Sequence, residues 1–298
     1  MQLVSFLLSE RDTVGGVLRA DGSVVDLRQL GYPSVLSLVE AGAAEWARVA
    51  SEAADALGSH HVGELQLAAP LTKPPRNIFC VGVNYRAHFD EGKRPEGTTV
   101  PDAPVLFTKP WTSLIGHNGV VRIDRQATQR VDWEAEIAVV IGKGGRNIDP
   151  SDAMNHVFGY TLANDLSARD LQLATGQFGQ WFKGKGLDDF CPMGPAIVTV
   201  DELGDYRDLR VVLRVNGVVK QDFLASDMIN DIPHIIARCS LGMNLLPGDV
   251  IITGTAAGVG HWREPPEFLG NGDVVEIECA GLGLLRTQLV EGAGADSW

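Results

Sequence analysis

Asp132, Glu134 and Glu136 alternate along the run Val131-Asp132-Trp133-Glu134-Ala135-Glu136-Ile137-Ala138-Val139-Val140-Ile141. The β-branched apolar tail of that run, closed by Gly142-Lys143-Gly144-Gly145, predicts a β-strand. Side chains on a strand alternate between faces. The three acids therefore share one face, while Trp133, Ala135, Ile137, Val139 and Ile141 share the other and can enter a core. Two strand steps place Glu134 and Glu136 roughly 7 Å apart at the backbone, so both carboxylates can reach one cation. Three acids on one face repel unless water or a metal neutralises them; an edge strand with a wet acidic face is the plainer alternative. Asn164-Asp165, at the end of the strand-like Val157–Ala163, offers a third ligand from a neighbouring strand. Three carboxylates without His or Cys suit a hard cation: Mg²⁺, Mn²⁺ or Ca²⁺. Mg²⁺ held by few protein ligands keeps positions open for water and a chelating substrate.

The elements around these residues divide near the rigid linker Lys73-Pro74-Pro75-Arg76. Residues 1–72 are expected to form a small α+β domain. Short strands over residues 2–27 turn at Asp12-Thr13 and Ala20-Asp21-Gly22, and helical spacing covers residues 34–57. Residues 73–298 are expected to form the catalytic domain, mixed α+β but mainly β. Ile78–Val83 and Val105–Phe107 read as strands flanking the polar stretch Asn84–Glu91 and a loop at 92–104 rich in Gly and Pro, which has the character of a lid. Further strands follow at 196–200, 209–215, 218–223, 250–253, 274–279 and 284–290. One helix is expected near Asp231–Cys239 with Pro233 in its first turn, and Asn216-Gly217 marks a hairpin.

Bulk composition narrows the function. The 298 residues carry 25 basic and 38 acidic side chains, a net charge of −13, which argues against nucleic acid or anionic membrane as a partner. Cys80, Cys191, Cys239 and Cys279 show no metal-finger or C-x-x-C spacing and read as reduced, buried thiols. The N-terminus has no basic n-region, and no apolar run reaches the ~20 residues of a membrane span. A cytoplasmic protein is expected. The Gly-Lys turns lack P-loop spacing, and no G-x-S-x-G elbow is present. His60, His61 and His117 have no partners at metal spacing and are expected at the surface.

Five motifs, in order, resemble the fumarylacetoacetate hydrolase family. They are Asn84-Tyr85-x-x-His88; Asp132-x-Glu134-x-Glu136; Tyr160–Gln172; Gly184-Lys185-Gly186-x-Asp188 followed by Cys191-Pro192; and Gly248–Thr255. The resemblance covers residues 75 to 292. It implies a mixed β-roll, usually homodimeric, with Mg²⁺ or Mn²⁺ held by Glu134, Glu136 and Asp165. Ala256 stands where many members carry proline. His88 and Glu91, three apart, would meet on one helical turn, where a carboxylate-held imidazole can act as a general base; the resemblance assigns them that dyad role when the lid closes. Lys185 can stabilise an oxyanion or bind a carboxylate. Gln172 and Thr255 match substrate-contacting positions. Arg86 and Arg169 are candidate anion contacts, though Arg169 could equally pair with Asp170 or another acid as support.

The chemistry expected is hydrolysis of a C–C bond in a 2,4-dioxo acid of the acylpyruvate or fumarylpyruvate type. The 1-carboxylate and 2-oxo group would chelate the metal, His88 would activate water, and pyruvate enolate would leave. Decarboxylation of an oxaloacetate-like acid, or isomerisation of a 2-hydroxy-dienoate, uses the same metal site without the water. A non-catalytic metal- or ligand-binding protein on the same roll is a third reading. Recognition of the acyl group is expected from the lid (89–104), Trp181 and Trp262.

Overall fold

Ala135–Ile141 lies between Val157–Asn164 and Val250–Ile252, antiparallel to both, inside a twelve-stranded sheet. This arrangement comes from a computed structural model describing residues 1–9, 12–92, 95, 97–174 and 179–292. All seven residues of the strand are buried. Ile137, Val139 and Ile141 face a core shared with Val211, Leu213, Val275, Ile277, Leu285 and Leu289 of a second, five-stranded sheet. Ala138 and Val140 face a different cluster that includes Leu38, Val39 and Val49 of the N-terminal helices Val35–Ala41 and Ala43–Asp55. A strand apolar on both faces belongs inside a layered structure. The architecture is accordingly mixed α+β and mainly β, with the large sheet between the small sheet and the helices.

The acidic run is not one strand, and this corrects the expectation. Val131–Asp132 pairs with Ser167–Ala168 in a separate two-stranded sheet, and the ladder resumes only at Ala135. Side chains take over from backbone at the gap. The Glu134 amide donates to Asn164 Oδ1 at 3.0 Å and the Ala135 amide to Gln221 Oε1 at 2.9 Å, so no buried N–H is orphaned there. The break turns Asp132 away from the Glu134–Glu136 pair, and the face is neither an edge nor wet.

The linker at 73–76 separates elements in sequence, yet hydrogen bonds cross it. Gln2–Ser9, first strand of the N-terminal meander, pairs with Cys191–Thr199 and extends the sheet that holds the acidic strand. Arg76 in the linker also pairs with buried Asp249 at 3.0 Å. The expected helix is found at Ile232–Ser240, capped by Asp231 with Pro233 in its first turn. Asn216 and Gly217 both take positive φ, 51° and 78°, between two paired strands, as a tight hairpin requires. The four cysteines are free and buried. His60 and His117 are partly buried rather than on the surface: His60 packs on Phe6 and His117 Nδ1 accepts from the Arg286 amide. Of the expected lid, residues 93, 94 and 96 lie outside the described residues. No helix among the described residues is long and apolar enough to cross a membrane.

Ile137, next to Glu136 on the central strand, is wholly buried in the core shared with the second sheet. Ile137→Ala is expected to lower unfolding free energy by about 2–5 kcal/mol, from lost burial plus the cavity. Urea denaturation checks this; a loss under about 1 kcal/mol would place the core elsewhere.

Candidate active site

Glu136 extends from the central strand, Glu134 from the break before it, and Asp165 from just beyond the neighbouring strand Val157–Asn164. One carboxylate oxygen of each lies within 4.8 Å of the others, and all three residues are buried. The backbone fixes this convergence, because the Asp165 amide donates to the Glu134 carbonyl at 2.9 Å. Gly254 donates its amide to Glu136 Oε2 at 2.6 Å. It does so with φ of +96°, at a point where a Cβ would lie 2.8 Å from Asn84 and 2.9 Å from the Val81 carbonyl. Only glycine suits that position.

Three cations are threaded among the acids. Lys185 Nζ donates to Glu134 Oε2 at 2.6 Å and Asp165 Oδ2 at 2.7 Å. Lys109 Nζ donates to Asp165 Oδ1 at 2.7 Å and to the Leu166 and Lys185 carbonyls. Arg169 spans Asp132 at 2.8 Å and Glu134 at 2.6 Å, and donates to Gln172 Oε1 at 2.9 Å. Four buried carboxylates thus face three buried cations. Burial works to raise the Glu134 carboxyl, but Lys185 and Arg169 prevail and hold it well below the usual carboxylate range. Glu136 goes the other way: burial, then Asp165 and Glu134, push it well above that range. A donor set in which one carboxyl is driven to keep its proton is short of positive charge. These residues therefore fit a hard divalent cation, which would replace that proton and leave the pocket one charge positive, suited to an organic anion.

His88 stands at the wall of the cavity that Glu134 and Glu136 also line. A short helix, Arg86–Glu91, follows Asn84, which is fully buried and donates to the Thr253 and Asn230 carbonyls at 2.8 and 3.0 Å. Tyr85 packs edge-on against Phe223. So anchored, the helix brings His88 Nδ1 to 2.6 Å from Glu91 Oε1, and Glu91 Oε2 accepts from the Gly258 amide at 2.7 Å. His88, Glu134, Glu136, Arg169, Gln172, Trp181, Lys185, Thr255, His261 and Trp262 line one cavity. Trp181 and Trp262, the residues from which recognition was expected, both line this cavity.

The structure does not gather every sequence candidate. Arg86 is 69% exposed, pairs with Asp90 at 3.0 Å and lies outside the cavity lining. Lys185 sits among the carboxylates, with its ammonium committed to Glu134 and Asp165. Thr255 reaches the cavity wall with its hydroxyl donated to the Ala135 carbonyl at 2.8 Å. Arg169 takes the supporting alternative, with Asp132 and Glu134 as its acids rather than Asp170. Lys109 and Gln221 were not expected in the site. A lysine closing an apolar strand before a proline was the available signal for Lys109; nothing local marked Gln221, which receives the Ala135 amide and donates to Thr255 Oγ1 at 2.8 Å.

A mixed two-sheet roll around a buried carboxylate trio and a His–Glu dyad defines a class, and comparison places the chain in it. The description "Fumarylacetoacetate (FAA) hydrolase C-terminal" matches residues 77–290, and the chain belongs to the fumarylacetoacetate hydrolase family of enzymes. It is 44% identical over 249 residues to the oxaloacetate tautomerase YisK of Bacillus subtilis, spanning 83% of this chain and 80% of that protein. The solved fumarylacetoacetate hydrolase of Exiguobacterium antarcticum superposes with a TM-score of 0.80 at 36% identity, over 98% of this chain and 100% of that one. Maleylpyruvate hydrolase from Sphingobium sp. SYK-6, solved with manganese(II) and pyruvate, superposes at 0.79 with 27% identity, over 98% and 100% of the two chains.

Arg169→Met removes a guanidinium that holds two buried acids apart. Breaking a buried pair from one side costs about 3–5 kcal/mol. The expected result is a lower urea midpoint at unchanged slope, corresponding to about 3 kcal/mol or more. A loss under 1 kcal/mol would mean that the backbone amides around Asp132 suffice.

Proposed function

We propose that the chain is a divalent-metal-dependent enzyme that interconverts the keto and enol forms of an oxaloacetate-like 2-oxo acid. The observation that carries this reading is the single cavity lined by Glu134, Glu136 and His88, with Asp165 converging on the two acids and Glu91 hydrogen-bonded to the imidazole. The tautomerase likeness supports it independently. Mg²⁺ or Mn²⁺ held by the three carboxylates would supply Lewis acidity to a 2-oxo group and its neighbouring carboxylate.

The chain's own side chains supply the proton traffic. Glu91, pinned by Gly258, fixes the His88 ring through Nδ1 and leaves Nε2 to take the C3 proton and deliver it to the 2-oxygen, giving the enol, with the reverse path restoring the keto form. The ammonium of Lys185, held by Asp165 and Glu134 against the pull of burial, keeps positive charge beside the place where enolate oxygen charge develops. Trp181, Phe107 and Trp262 restrict water around that charge.

Hydrolysis of a 2,4-dioxo acid is the second reading, favoured by the same dyad, which also suits a water molecule, and by the maleylpyruvate hydrolase likeness. It needs more of the site: a placed water and an oxyanion donor, where Lys185 is already committed to two carboxylates. Proton transfer needs only the base and the field, and for that reason it comes first.

Exchange of the C3 protons of oxaloacetate into deuterium oxide, followed by NMR with Mg²⁺, tests the proposal. Enzyme-dependent exchange is expected, falling about 10²–10⁴-fold in His88→Ala, the usual worth of a general base. Exchange untouched by that substitution, or cleavage of 2,4-dioxo acids with no exchange on oxaloacetate, would overturn the reading.

A further inference from the structure

A metal-chelating 2-oxo acid uses only its 1-carboxylate and 2-oxo group at the carboxylate trio. An oxaloacetate-like substrate carries a second carboxylate, and a cavity selective for it needs a donor that is not already spent. Most cavity-lining groups are spent. Lys185 and Arg169 are bound to acids, His88 to Glu91, the Thr255 hydroxyl to the Ala135 carbonyl, and the Gln172 carbonyl to Arg169. Among the described residues, the His261 ring, the Gln172 amide nitrogen and the indole N–H groups of Trp181 and Trp262 make no hydrogen bond. Gln172 is tethered on the Arg169–Glu134 side, where the chelated end of the substrate would lie.

His261 sits in the short turn Gly260–Trp262, where Asp132 fixes the backbone: its carboxylate accepts from the Gly260 amide at 2.7 Å and the His261 amide at 3.0 Å. The ring is held edge-on to Trp262, centroids 4.4 Å apart, with Phe268 at 6.3 Å. Nδ1 is buried without a partner, while Nε2 makes no hydrogen bond and is not shut away from solvent. Burial, then the nearby Arg169 cation, keep the imidazole neutral by lowering its pKa. A neutral ring carries one proton, and a buried N–H without an acceptor is the rarer and costlier arrangement. The proton therefore belongs on Nε2, which makes the ring a donor.

We infer that His261 is a specificity-determining residue whose Nε2–H receives the distal carboxylate of a dicarboxylic 2-oxo acid. The inference rests on the function proposed above and names the substrate class for that site. Asp132 acquires a purpose beyond neutralising Arg169, since its other oxygen contacts hold the turn that presents the ring. On the flanking wall of Trp181, Leu173 and Trp262, the two indole N–H groups can add to that contact.

Pyruvate and oxaloacetate differ by that one carboxylate, so their binding to the Mg²⁺-loaded protein, measured by calorimetry, isolates the contact. Wild type is expected to bind oxaloacetate more tightly than pyruvate. His261→Phe should lose about tenfold in oxaloacetate affinity, the size of one hydrogen bond to a charged group, with pyruvate affinity unchanged. His261→Gln, which keeps a donor, should recover part of it. Loss for both ligands alike, or none for oxaloacetate, would overturn the inference. Selective loss for oxaloacetate in a protein that catalyses no C3 exchange would support this contact while the function proposed above failed.

Discussion

The balance of charge in one buried cluster governs the rest of the structure. Asp132, Glu134, Glu136 and Asp165 are taken out of water together, and mutual repulsion in such a medium would unfold them were it not for Lys109, Lys185 and Arg169. The three cations are not interchangeable counterions. Arg169 uses its planar fork to separate two acids, Lys185 joins two acids that a metal would also join, and Lys109 fixes Asp165 and the Lys185 backbone at once. The arrangement stops one charge short, and that shortfall is what makes the carboxylate trio fit a divalent cation.

Positioning such a cluster asks for rigid backbone, and the fold supplies it where the ladder is broken. A continuous strand would have put Asp132, Glu134 and Glu136 in a row facing the same way. Interrupting the ladder at Trp133-Glu134 lets Asp132 serve Arg169 and the turn at 260–261, while Glu134 and Glu136 converge with Asp165. Asn164 and Gln221 satisfy the amides that the break frees, and the buried Trp133 ring, donating to the Gly258 carbonyl at 3.1 Å, ties the break to the loop that also holds Glu91. The carboxylate side and the His88 side of the cavity are thus braced against each other through one short stretch of chain.

Much of this was legible in the sequence, because strand alternation and residue type carry it. Glu134, Glu136 and Asp165 were readable as oxygen ligands, the His88–Glu91 spacing as a dyad, and Asn216-Gly217 as a hairpin. What was not legible depends on long-range pairing. The strand break is invisible to periodicity, since the run alternates perfectly through it. Arg86 carries the right charge beside the right motif but faces solvent on its helix. Lys109 reaches Asp165 across 56 positions, and Gln221 reaches Ala135 across 86, contacts that only sheet order can reveal. The bond between the N-terminal meander and Cys191–Thr199 is of the same kind, hidden behind a proline-rich linker that reads as a boundary.

The most direct measurement of the central claim is Mn²⁺ binding by the purified protein, followed by the electron paramagnetic resonance signal of the free ion. One ion per chain should bind in wild type, and Glu136→Gln or Asp165→Asn should each weaken that binding by tenfold or more, as loss of a charged ligand demands. No bound ion, or binding indifferent to both substitutions, would contradict the account.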